Sequence, residues 1–174
     1  MTRRFATCIL ALSATLWLAG CGFHLRGSNN LAFSTLAVQG PGGPLLIDLK
    51  RQIASTTATR IANDPKQAQA IFTLLSDSPT QTAVAYNADG TVAQYQLRET
   101  VSFQLTTPAG QVLIAPTTIS QSSSLSYSTS ATLAKANEAD LLYRGMRQDI
   151  VNRIMFQLST VKRAPLPAAP ASAP

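Results

Sequence analysis

Cys21 and His24 carry the most reactive side chains in this sequence, and they lie three positions apart. A cysteine at that place could be a core residue, half of a disulfide, a metal ligand beside His24 or a site of covalent attachment. The chain has one other cysteine, Cys8, and no other histidine. One cysteine and one histidine cannot form a structural zinc site, which takes about four side-chain ligands. The choice among the other roles depends on the segment before Cys21.

That segment has the three-part pattern of a secretory signal peptide. Two arginines, an apolar run of fourteen residues and two small residues follow one another, at Arg3-Arg4, 5–18 and Ala19-Gly20. As a helix the apolar run spans roughly 21 Å, which is less than the roughly 30 Å of a bilayer's hydrocarbon core. We therefore expect residues 1–20 to be removed and the remainder to be an exported, soluble body. Because Cys8 lies in the removed segment, Cys21 has no intramolecular disulfide partner.

The residues Leu18-Ala19-Gly20-Cys21 resemble the lipobox, the processing site of bacterial lipoproteins. The resemblance implies that the sulfur of Cys21 receives a diacylglycerol, that the chain is cut just before it, and that its new amino group is acylated. Two or three acyl chains hold a protein on a bilayer far more firmly than one. Gly22 rather than aspartate follows, which in such lipoproteins favours the outer membrane. The alternative is an ordinary signal peptide with a chance cysteine.

Composition excludes several other classes of protein. Charged residues make up 13% of the chain, the net charge is +6, and no cluster of Lys or Arg exceeds two residues, so we expect no nucleic-acid partner. We find no phosphate-binding glycine loop and no close pair of carboxylates, and the sequence GPGG at residues 40–43 is interpreted as a turn. His24 is interpreted as a strand residue with an ordinary hydrogen bond. The sequence therefore predicts no catalytic residue, no metal site and no cofactor.

The pattern of apolar residues predicts the elements that must position any site. A first helix is expected from about Leu45 to Ala62, and a second begins near Leu133 or after Asn137. A short strand is expected at residues 23–26 and another at residues 36–38. Further strands are expected at residues 71–76 and 83–87, separated by Ser78-Pro79, then across residues 94–106, and from Val112 to about Tyr127.

The strand across residues 94–106 has the clearest alternation, and only Glu99 interrupts its apolar face. Two helices and about four strands, each with one apolar face, predict a two-layer α+β sandwich: a mostly antiparallel sheet with both helices on one face. We assign residues 21–163 to this single domain. Residues 164–174, rich in Pro and Ala, are expected to be a disordered tail.

Three segments resemble the LptE family of lipopolysaccharide-assembly lipoproteins. They are CGFHLRG at residues 21–27, NADGTVAQYQLRETVSF at residues 87–103 and LAKANE at residues 133–138. The resemblance implies a non-enzymatic lipoprotein on the periplasmic side of the outer membrane. It also implies a partner, the β-barrel LptD, whose lumen it plugs, and lipopolysaccharide as a ligand. The alternative is a periplasm-facing auxiliary lipoprotein of a lipid-transport system or a structural lipoprotein of the cell envelope.

The phosphates of lipid A call for basic side chains that form charge-assisted hydrogen bonds. Lys135 lies in the matching helix motif and is the first candidate for a lipopolysaccharide contact, and Arg98 on the polar strand face is the second. The alternative for each is an ordinary solvated surface residue. Some family members carry a basic residue at the hairpin tip, but residues 86–90 here have none.

Overall fold

The computed structural model describes residues 31–161. Five strands and two long helices follow in the order β1 Thr35–Gln39, α1 Pro44–Thr56, β2 Arg60–Ala62, β3 Ala70–Tyr86, β4 Val92–Thr106, β5 Val112–Ser126 and α2 Thr132–Thr160. Short 3₁₀ turns occupy Pro65–Gln67 and Thr129–Ala131. The predictions for residues 1–20, Cys21, the strand at 23–26 with His24, and the tail at 164–174 lie outside the described residues.

The strands form one sheet in the order β2-β1-β3-β4-β5. β1 runs parallel to both β2 and β3, whereas the β3–β4 and β4–β5 pairs are antiparallel. Both helices pack on the same face, so the predicted α+β class with a mostly antiparallel sheet is confirmed. The sheet has five strands rather than about four because the short β2 was not foreseen.

The core lies between the helices and the covered face of the sheet. Every second residue of β4 from Leu97 to Leu105 is buried, as the alternation predicts. The rings of Phe72 and Phe103 stack there with centroids 5.2 Å apart. Both helices contribute apolar faces to this core, through Leu45, Leu46, Leu49, Ile53, Ile150, Val151, Ile154, Met155 and Leu158.

The first helix is shorter than predicted, because α1 ends at Thr56 and not at about Ala62. The hydroxyls of Thr56 and Thr57 donate to the carbonyls of Gln52 and Ile53, and Thr57 has an extended backbone. Such β-branched residues are poor helix formers. After the helix ends, the chain continues into β2, whose residues pair with β1. Ile61, which the helical spacing placed on α1, therefore belongs to a strand.

The predicted break at Ser78-Pro79 is also wrong, because β3 runs without interruption from Ala70 to Tyr86. β1 pairs only with the first part of β3, up to Thr73, so the rest of β3 has a neighbour on one side only. Proline lacks an N–H donor and is tolerated on such an edge strand. A register shift between Leu74 and Ser76 accompanies the change from a central to an edge position.

The predicted hairpin turn between β3 and β4 is confirmed. Gly90 has a φ of 82°, which the left-handed region allows glycine to adopt without strain. The carboxylate of Asp89 accepts hydrogen bonds from the backbone N–H and the hydroxyl of Thr91, and these bonds lower the pKa of Asp89. The second predicted helix is also present: α2 begins at Thr132, one residue before Leu133, the earlier of its two predicted starts.

Candidate functional site

The face of the sheet opposite the helices carries mainly hydroxyl and amide side chains, and we call it the polar face. Within residues 31–161, neither helix covers it. Strand register brings its side chains from three strands together, namely Ser78, Thr80 and Thr82 of β3, Gln96, Arg98, Thr100 and Ser102 of β4, and Thr118, Ser120, Ser122 and Ser124 of β5. Arg98 is the single charged member of this set.

Side-chain hydrogen bonds link the polar face across the strands. The hydroxyls of Thr100 and Ser120 are 3.2 Å apart, and those of Ser102 and Thr118 are 2.7 Å apart. The guanidinium of Arg98 donates to the hydroxyl of Ser120 over 3.4 Å. Such cross-strand pairs stabilise a sheet and define an ordered polar surface.

On the covered face, one acidic side chain is buried among apolar neighbours. Glu99 is 2% exposed, and its Oε1 lies 3.7 Å from Nε of Arg147, which projects from α2. The other oxygen of Glu99 and one oxygen of Asp77 are buried without a hydrogen-bond partner. We call Asp77, Glu99 and Arg147 the ionic layer.

The ionic layer changes the acidity of its own members. Burial raises the pKa of Glu99 above its ordinary value, the negative charge of Asp77 raises it further, and the guanidinium of Arg147 opposes both effects. Burial also raises the pKa of Asp77, again opposed by Arg147. Burial also raises the pKa of the Tyr143 phenol, and the negative charge of Glu99 raises it further.

A groove of about 600 Å³ lies between α2 and the outer part of β3, and all three members of the ionic layer line it. Pro79 and Gln81 line it from β3, and Asp140 and Arg144 line it from α2. The phenol of Tyr143 crosses the groove and donates to the carbonyl of Thr80 over 2.8 Å. The groove therefore has a mixed set of charges rather than the single sign that a phosphate site requires.

The structure does not bring together the two side chains that the sequence suggested for lipopolysaccharide. Lys135 lies in the first turn of α2, and its Nζ is 2.8 Å from Oε2 of Glu138. Its side chain remains 23% exposed. Arg98 points from the polar face, so the two cations are on opposite sides of the sheet. One phosphate cannot contact both.

The sequence reasoning did not single out Arg147. It interpreted Asp77 as a turn residue, which is wrong because Asp77 lies within the continuous strand β3. Glu99 itself was visible as the single break in an apolar alternation, and it marked the place where a buried partner was needed. Within residues 31–161, no three His, Cys, Asp or Glu side chains are grouped to hold a metal ion. Over the same residues, no helix has both the length and the apolar character needed to cross a bilayer.

Comparisons with known proteins agree on one family. Residues 33–158 match the family model described as "LptE: Lipopolysaccharide-assembly". An LPS-assembly lipoprotein LptE of Photorhabdus laumondii is 31% identical over 168 residues, covering 94% of this chain and 90% of the relative. A protein of the same name from Pectobacterium atrosepticum is 29% identical over 165 residues, covering 92% and 88%.

Solved structures of two lipoproteins share the fold. The solution structure of an uncharacterized lipoprotein B from Nitrosomonas europaea aligns with a TM-score of 0.70 and 27% identity, covering 79% of this chain and 90% of that one. A minor lipoprotein from Acinetobacter baumannii shares the fold, with a TM-score of 0.61 and 23% identity over 74% and 92% of the two chains. The extent of the family match and the identity to curated relatives show that this chain belongs to the LptE family of lipopolysaccharide-assembly proteins.

Proposed function

We propose that this protein is a lipopolysaccharide-assembly lipoprotein, anchored through Cys21 on the periplasmic side of the outer membrane. In this proposal it plugs the lumen of an LptD-like β-barrel and binds lipopolysaccharide on its way to the outer leaflet. It acts by binding and not by catalysis. The observation that carries the proposal is the polar face, an ordered surface of hydroxyl and amide groups on a member of the LptE family.

The polar face suits a barrel lumen for a simple physical reason. The interior of large outer-membrane barrels is polar, so a plug must offer hydrogen-bonding groups there rather than apolar side chains. Serine, threonine and glutamine side chains can donate and accept hydrogen bonds, so they can pair with either donor or acceptor groups on the barrel wall. The covered face cannot play this part, because the two helices already occupy it.

The proposal is tested by purification of the tagged protein from detergent-solubilised outer membrane, with identification of partners by mass. We expect a large β-barrel in the eluate. The intact mass of the same protein should equal that of the chain from Cys21 onward plus a diacylglycerol and an acyl group. Recovery as a free monomer, or with inner-membrane machinery or peptidoglycan, would favour the auxiliary lipoprotein. A mass without lipid would reject the anchor.

Photo-crosslinking can test which surface meets the barrel. A crosslinker at Ser122, exposed on the polar face, should join the protein to its barrel partner in high yield. A matched crosslinker at Arg153, exposed on the outer side of α2, should give a several-fold lower yield. Equal yields, or a higher yield from position 153, would contradict the role given to the polar face.

Lys135 remains the proposed contact for a lipid A phosphate. Its ion pair with Glu138 joins two partly exposed side chains, and such pairs contribute little stability, so a phosphate can displace the carboxylate. We expect Lys135→Glu to weaken lipopolysaccharide binding about tenfold, since one charge-assisted hydrogen bond is lost. Binding of labelled lipopolysaccharide to the purified protein measures this.

The matched control is Lys50→Glu, the same change of charge at an exposed position of α1. It should leave lipopolysaccharide binding unchanged. Equal weakening by both variants would indicate a general effect of net charge, and unchanged binding by Lys135→Glu would remove Lys135 from the site. Arg98 stays a separate prediction, because its place on the polar face puts it beside the proposed barrel contact.

A further inference from the structure

The two halves of α2 are held to the rest of the protein very differently. All of its buried side chains lie at or beyond Met146, namely Met146, Ile150, Val151, Ile154, Met155 and Leu158. Residues 132–145 contain no buried side chain. Helices in proteins are stabilised mainly by the packing of an apolar face, so the first half of α2 gains much less from tertiary contacts than the second.

The two halves of α2 contact different apolar clusters, and the ionic layer lies between these clusters. The second half packs into the main core. The first half reaches a small separate cluster, in which Leu97, Leu125 and Met146 are buried and Ala139, Leu142 and Tyr143 are partly buried. On β4 the buried Glu99 lies between Leu97 of the small cluster and Val101 of the core. On α2, Arg147 lies between Met146 and Ile150. The ionic layer therefore divides the apolar interior where the two halves of α2 meet.

Gly145 occupies the same junction. A glycine in a helix interior weakens the helix relative to alanine, because its backbone loses more freedom on folding. Apart from its chain neighbours and the backbone of its own helix, a Cβ at Gly145 would meet no atom within 4 Å, so packing does not require glycine here. The helix thus has its least stable backbone position beside the first residue that anchors it.

We propose that residues 132–144 form a hinged segment that opens about Gly145 while the rest of α2 stays on the core. The first half of the helix starts without a side-chain cap at Ala131. The hydrogen bond from Tyr143 to Thr80 ties the segment to the edge of the sheet. Lys135 moves with the segment, so opening would also reposition that side chain; only this last step depends on the proposed function.

Amide hydrogen exchange of the purified protein in detergent, without lipopolysaccharide, tests the hinge. Amides of residues 136–144 should exchange well before those of residues 148–158. Gly145→Ala should slow exchange of the first group about fivefold, because alanine has a higher helix propensity than glycine. It should leave exchange of the second group unchanged. Tyr143→Phe should speed exchange of the first group about fivefold through loss of one hydrogen bond.

Asn152→Ala is the matched control, since it also raises helix propensity at an exposed position, but beyond the junction. It should not slow exchange of residues 136–144. Equal protection of the two groups in the unmodified protein, or equal slowing of both by Gly145→Ala, would show that α2 opens as one unit and overturn the proposal. Because no lipopolysaccharide is present, this result is independent of whether Lys135 binds it.

Discussion

Replacing Phe103 by alanine is expected to lower the free energy of unfolding by about 4 kcal/mol. Phe103 is fully buried on β4, and its ring stacks on that of Phe72 from β3. Truncation would remove most of its apolar surface and leave a cavity between the sheet and the helices. The neighbours could fill that cavity only in part, because Leu74 and Leu105 are themselves fixed by the strands that carry them.

Urea unfolding followed by circular dichroism measures this change. Phe156→Ala is the matched control, because Phe156 on α2 is 70% exposed and lies outside the core. That variant should differ from the unmodified protein by less than about 0.5 kcal/mol. If the two substitutions cost the same, the core would not be centred on the contact between Phe72 and Phe103.

Replacing Arg147 by methionine is expected to cost about 2 kcal/mol at neutral pH and much less in acid. Methionine keeps most of the apolar bulk but leaves the carboxylate of Glu99 buried beside Asp77 without its guanidinium. The cost falls below that of a fully enclosed ion pair because the Arg147 side chain is 19% exposed.

The pH dependence follows from the direction in which the pKa of Glu99 is shifted, and Asp77 adds to it in the same direction because Arg147 also opposes the rise of its pKa. Burial and Asp77 already raise the pKa of Glu99 above 4.5, and Arg147 is the group that lowers it. Without Arg147 the folded-state pKa rises further, so the folded variant binds a proton more tightly than the unfolded chain. Its stability is then fully present below about pH 4.5 and is lost as the pH rises through the raised pKa.

Urea unfolding across a range of pH checks this prediction. Arg153→Met, the same change at an exposed position of α2, should cost little and show no such pH dependence. A cost for Arg147→Met that stayed constant from acid to neutral pH would mean that the ion pair with Glu99 does not account for it. The destabilisation would then reflect packing alone.

The fold class was predictable because the apolar patterns are local. The alternation along residues 94–106 and the four-residue spacing from Leu142 to Leu158 each need only neighbouring residues to be recognised. The end of α1 and the existence of β2 were not predictable in that way. Ile61 fits the helical spacing, and only pairing with β1 and the hydrogen bonds of the threonines decide that it is in a strand.

The candidate sites also differ in whether neighbouring residues alone were enough to predict them. The assignment of Cys21 depends on a motif of adjacent residues, and it stays a prediction because Cys21 lies outside the described residues. Glu99 could be identified from sequence as an anomaly, but its partner lies 48 positions later on another element. The separation of Lys135 from Arg98 depends on which face of the sheet the helices cover, and no pattern within one segment contains that information.

Pro79 and the bond from Tyr143 to Thr80 together bear on self-association. A strand edge with free backbone groups invites a second molecule to pair with it, which is a common route to aggregation. Along this part of β3 the chain carries a proline, which natural edge strands use against such pairing, and the side chain of Tyr143 reaches the strand from α2. Copies of this protein would therefore be discouraged from pairing with each other along this edge, so the same feature that interrupts the backbone hydrogen bonding of one strand also protects the protein from self-association.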